Sequence, residues 1–114
     1  LQRQNERNAK IAINSSELTI ERTRQEIIAQ LTTAYQTYST FLGLVKLERT
    51  NVDIANENLD ITLEKYRLGS IAPLELREAQ RNALTAQSRY LEIQYQAKLA
   101  EISLKELSGT LNIQ

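Results

Sequence analysis

The chain has no cysteine, histidine, methionine or tryptophan. Without cysteine there are no disulfides, no thiol chemistry and no thiolate metal sites. Without histidine there are neither imidazole ligands nor histidine acid–base catalysis. The lack of cysteine is compatible with an oxidising compartment. Charge of one sign is lacking too: 14 Lys and Arg balance 14 Asp and Glu, so no net field favours nucleic acid or an anionic membrane. No apolar run approaches the ~18–20 residues of a membrane-spanning helix. Proline occurs once, at Pro73, and glycine only at Gly43, Gly69 and Gly109. At 114 residues the chain is at most one domain, and a slender one buries little core by itself. It opens on Leu1 rather than Met, which reads as a piece of something larger.

What is present is a short turn, Tyr66-Arg67-Leu68-Gly69-Ser70-Ile71-Ala72-Pro73-Leu74-Glu75, between two long helical patterns. Gly69 supplies the left-handed conformation that ends a helix, and Pro73 fits the first turn of the next. The spacing predicts helix 1 over about 3–68, a tip turn at 69–72, helix 2 over about 73–108 and a tail at 109–114. The fold class is therefore all-α, a long antiparallel coiled-coil hairpin. At ~1.5 Å per residue its arms are unequal, roughly 90–100 Å and roughly 50–55 Å. The upper part of helix 1 then lacks a partner within the chain.

Helix 1 carries a heptad row of Ile28, Leu31, Tyr35, Tyr38, Leu42 and Val45, continued by Arg49, Val52, Asn56, Leu59, Leu63 and Tyr66. Arg49 and Asn56 read as polar interruptions that fix register at some cost in stability. A flanking row of Ile27, Ala34, Phe41 and Ala55 widens the stripe, so contacts with at least two neighbours are expected. Ile13 and Ile20 prolong that spacing upstream into a polar region. Gly43 reads either as a point of close helix approach or as a tolerated weak spot. Helix 2 keeps the same alternation through Leu76, Ala79, Ala83, Ala86, Tyr90 and Ile93, then Ala97, Ala100, Leu104, Leu107 and Leu111. Its alanines let the partner backbone approach closely. Leu84, Leu91 and Ile102 lie off this seam and imply a second contact surface. Gly109 reads as the C′ residue that closes the helix.

The stretch Tyr66-Arg67-Leu68-Gly69-Ser70, followed by Leu74-Glu75-Leu76-Arg77-Glu78-Ala79-Gln80 and closing with Leu107-Ser108-Gly109-Thr110-Leu111-Asn112, resembles the C-terminal hairpin of TolC-like outer-membrane efflux channels. The resemblance covers essentially the whole chain, including the unequal arms. It implies a segment of an α-barrel tunnel in the periplasm of a Gram-negative envelope, within a homotrimer topped by an outer-membrane β-barrel that is missing here. Conduction would be passive, with energy supplied by an inner-membrane pump that is reached through a periplasmic adaptor.

On that resemblance, Leu68, Gly69, Ser70, Ile71, Ala72 and Leu74 form the tip that meets the adaptor. The plainer reading is that Gly69 and Pro73 merely make the turn while Ile71 and Leu74 fold back. Ala72 offers no side-chain cap to the helix that starts at Pro73. Glu75 and Glu78 share a face near a helix start, where the helix dipole favours anions. In the family, residues at their positions line the pore entrance and can bind cations, and the residue matching Tyr66 takes part in closed-state contacts. An Arg that locks the entrance in some members is matched here by Ile71, leaving Arg67 or Arg77 as substitutes.

No enzyme, cofactor, metal site or nucleic-acid partner is expected, since the carboxylates are joined to no nucleophile in a concave site. Two other readings stay open, the hairpin of a periplasmic adaptor and a generic coiled-coil scaffold. The uncovered upper stripe also predicts self-association, as a four-helix bundle.

Overall fold

In the computed structural model the protein is two antiparallel α-helices, α1 (Gln2–Arg67) and α2 (Pro73–Ile113). The backbone is described for residues 1–113 and the side chains for residues 1–110. There is no strand among the described residues. The molecule measures 100 × 20 × 13 Å, close to the length of α1 alone at ~1.5 Å per residue. Gln87 Nε2 donates to Asn56 Oδ1 at 3.5 Å, while farther from the tip Leu104 and Ser108 share a groove with Leu31 and Tyr35. These pairs mark the antiparallel register, and Asn56 has a partner across the seam in Gln87.

The core is one helix–helix seam. On α2 the buried residues are Ala79, Ala83, Ala86 and Ala97, each less than a tenth exposed. Leu76, Tyr90, Ile93, Ala100, Leu104 and Leu107 are half-buried in the same alternation. Leu111, expected to continue it, lies outside the described side chains. The small alanine side chains let α1 sit close to the α2 backbone, which is why they are more deeply covered than any larger apolar residue.

On α1 the seam is displaced from the expected row. Leu31, Tyr38, Val45, Val52 and Leu59 are inward, but their companions are Ile27, Ala34, Phe41, Glu48 and Ala55. Ile28, Tyr35 and Leu42 are 47%, 62% and 42% exposed, and Arg49 is exposed as well. Only near the tip do Asn56 and Leu63 of the expected row become half-buried, and Tyr66 is exposed again. A helix of about 3.6 residues per turn drifts by ~20° per heptad against its partner. Over the length of this seam that drift hands the inward position to the residue before.

Helix α2 also runs beyond the expected end at 108, through Gly109 to Ile113. Gly109 lacks the positive φ of a C′ glycine, and no atom lies within 4 Å of the place its Cβ would occupy. With nothing for the chain to turn back onto, the helix continues, and Thr110 Oγ1 donates to the Glu106 carbonyl at 3.0 Å as a mid-helix threonine does. Gly43 likewise has open space around it, so no helix of this chain approaches there. Residues 1–26 of α1 are exposed throughout, including Ile11, Ile13, Leu18 and Ile20 at 57–66%.

Candidate functional site

The tip is built by the end of α1. Leu68 keeps a helical conformation as the last cap residue, and Gly69 follows at φ +76°. The Gly69 N–H donates to the Tyr66 carbonyl at 3.0 Å and the Ser70 N–H to the Lys65 carbonyl at 2.9 Å. This pair of bonds is the Schellman closure, and it needs a residue that accepts positive φ where Gly69 stands. Lys65 and Arg67 in the last turn complement the negative end of the helix dipole. On the far side, the Glu75 N–H donates to the Ala72 carbonyl at 3.2 Å, so Ala72 caps α2 through its backbone. Pro73 then occupies the first helical position, where its missing N–H costs nothing.

The side chains of this turn divide. Ile71 is half-buried and folds back toward the hairpin, as the plainer reading of the turn requires. Leu74 does not: it is 66% exposed, and Leu68 is 73% exposed on the other arm. Ser70 and Ala72 are exposed between them, and around Gly69 there is open space within 4 Å. The result is a blunt knuckle with an apolar residue on each shoulder and only small groups at its apex.

Tyr66, Glu75 and Glu78 are exposed close behind the knuckle. Glu75 lies in the first turn of α2, where the free N–H groups favour a carboxylate. Neither Glu75 nor Glu78 is in an ion pair among the described residues. Arg67 approaches Glu64 on its own helix at 4.0 Å, with both side chains about two-thirds exposed. No group of three or more metal-ligating side chains forms among the described residues.

Leu84, Leu91 and Ile102 of α2, where a second contact surface was expected, form an exposed row together with Tyr95. Two features escaped the sequence reading. The first is an exposed apolar row on the back of α1, Leu47, Ile54 and Ile61, which Leu68 of the turn prolongs. The regular seven-residue spacing of the α1 row was the available signal. The second is Glu48, buried at 8% in the seam at the heptad position it shares with Phe41 and Ala55. Away from the tip, Glu101 receives Lys98 Nζ at 3.3 Å and Lys105 Nζ at 2.9 Å. The Lys105 hydrogen bond, then that of Lys98, holds the Glu101 carboxyl below its ordinary value, and Glu101 raises Lys105 in return.

The fold is an unequal helical hairpin, apolar on its back faces and closed by a small-residue knuckle. The family that builds with it is shown by the sequence: the profile described as "Outer membrane efflux protein" matches residues 2–110. The chain belongs to that family, one of transport channels rather than enzymes. No curated protein and no solved structure matches the chain.

Proposed function

We propose that this hairpin is a periplasmic stave in the tunnel of a trimeric outer-membrane efflux channel. Its knuckle docks a periplasmic adaptor that connects to an inner-membrane pump, and transport through the tunnel is passive. The observation that carries the docking role is the outward presentation of Leu68 and Leu74 at 73% and 66% exposure around an unobstructed Gly69. Apolar shoulders flanking a small apex suit meshing with another helical tip, because the small residues admit close backbone approach and the shoulders bury on contact. The apolar back rows support the stave role, since each needs a neighbouring helix to cover it. Glu75 and Glu78 belong to the pore entrance in this reading. A threefold arrangement gathers each of them into a ring of carboxylates able to hold a cation that no single copy can.

The test replaces Leu68 and Leu74 by Asp in the full channel protein. Both side chains are solvated, so helicity and the amount of channel in the outer membrane should stay unchanged. Export and adaptor cross-linking at the tip should fall at least tenfold. Unaltered export with both substitutions in place would count decisively against docking through the knuckle.

A further inference from the structure

We propose that the middle of the hairpin, around Glu48, is a built-in flexure at which the two helices pair least firmly, so that the tip half can move relative to the upper half. Two independent observations meet there. Glu48 is the buried polar residue of the seam, 8% exposed, where the same heptad position elsewhere holds Phe41 and Ala55. Its Oε2 accepts one long hydrogen bond, 3.4 Å, from Asn51 Nδ2 on its own helix, and among the described residues none crosses to α2. Little more than one turn above it, Gly43 is an interior helix residue, and no atom lies within 4 Å of the place its Cβ would occupy.

Each observation removes a different contribution to rigidity. A carboxylate at a seam position contributes no apolar burial and must keep its solvation or its single partner. Glycine within a helix lowers the cost of local unwinding. On either side the seam is apolar again, with Leu31 and Phe41 above and Ala55 and Leu59 below. Two firm segments joined by a soft one bend at the soft one. This property belongs to the hairpin itself and stands whether or not the knuckle docks a partner.

Native-state hydrogen exchange on the 114-residue chain, with Glu48→Leu and Glu48→Gln variants, tests it. The native chain should show a local minimum of protection over residues 44–52, between better-protected segments on both sides. Glu48→Leu should erase the minimum and slow those amides about tenfold, the effect of replacing a poorly partnered buried polar group by an apolar one. Protection at Ala79–Ala86 should not change. Glu48→Gln keeps the shape without the charge and should move exchange by less. Protection that declines steadily from one end of α1 to the other would overturn the proposal. So would a Glu48→Leu chain whose exchange is unchanged or whose helicity is lost, because Glu48 would then be neutral or a tie.

Discussion

One helix of this protein lives in two environments. From Ile27 to Leu63, α1 lies against an alanine-lined partner, whereas from Gln2 to Glu26 it stands with every residue exposed. The backbone is helical across both. Helix nucleation is the costly step and propagation is cheap, so the paired stretch nucleates and the bare stretch extends it. Thr19 and Thr23 satisfy their hydroxyls without a neighbour, donating to the carbonyls of Ser15 and Thr19 at 2.9 Å. The comparison separates two properties. Being a helix is local here, while being held in place is not.

Substitutions in the seam should hurt and equivalent ones outside it should not. The largest effect is expected at Phe41→Ala, which removes a half-buried ring from the inward row and should cost about 2–3 kcal/mol, short of the cost for a fully buried ring. Leu42→Ala, one residue away on the exposed row, should cost less than about 1 kcal/mol. Chemical denaturation followed by far-UV circular dichroism measures both, and equal losses would restore the row expected from sequence. Next comes Ala83→Leu, at a residue only 3% exposed. Forcing the helices apart there should cost about 1–3 kcal/mol. In the bare stretch, Ile20→Ala should stay within about 0.5 kcal/mol.

A smaller loss, about 1 kcal/mol, is expected for Gly69→Ala, from the positive φ alone. The space around Gly69 is open, so Gly69→Asn, which tolerates the left-handed region better, should recover part of it. Differential scanning calorimetry resolves such differences in a chain of this size.

The smallest effect belongs to the Lys98–Glu101–Lys105 cluster. Glu101 has its folded value below the ordinary 4.5, so its contribution is present above that value and fades as pH falls through the lowered one. Lys105 is raised above 10.5, so its contribution holds below that value and fades as pH rises through the raised one. Both groups are solvated and screened by salt, so the effect should be slight. Comparing native and Glu101→Gln denaturation midpoints from pH 6 to pH 3, at low and high salt, isolates it. A pH slope identical in the two chains would remove Glu101 as its source.

Much of this was legible residue by residue. The knuckle followed from Gly69 and Pro73 because each is suited to one backbone role at that place. The α2 seam followed from its alanines, which keep the three-four alternation along most of the helix. The row on α1 was not legible to the same degree. Ile27-Ala34-Phe41 and Ile28-Tyr35-Leu42 both keep the three-four alternation, and the second has the bulkier side chains. Only a partner's position chooses between them. Glu48 was hidden for the same reason, since a glutamate in a charged helix is read as surface until its row is known to face inward.

The sequence by itself determined where the chain reverses, that it is helical on both sides, that its arms differ in length and which face of α2 is buried. Each follows from short-range backbone preference or from a stripe that runs unbroken along its helix. The tertiary structure alone decided which of two adjacent rows of α1 meets that face, and that a carboxylate sits in the seam. It also decided that α2 passes through Gly109 to Ile113. Those outcomes depend on helical drift across a long contact and on what lies beside a residue, and neither is encoded at any single position.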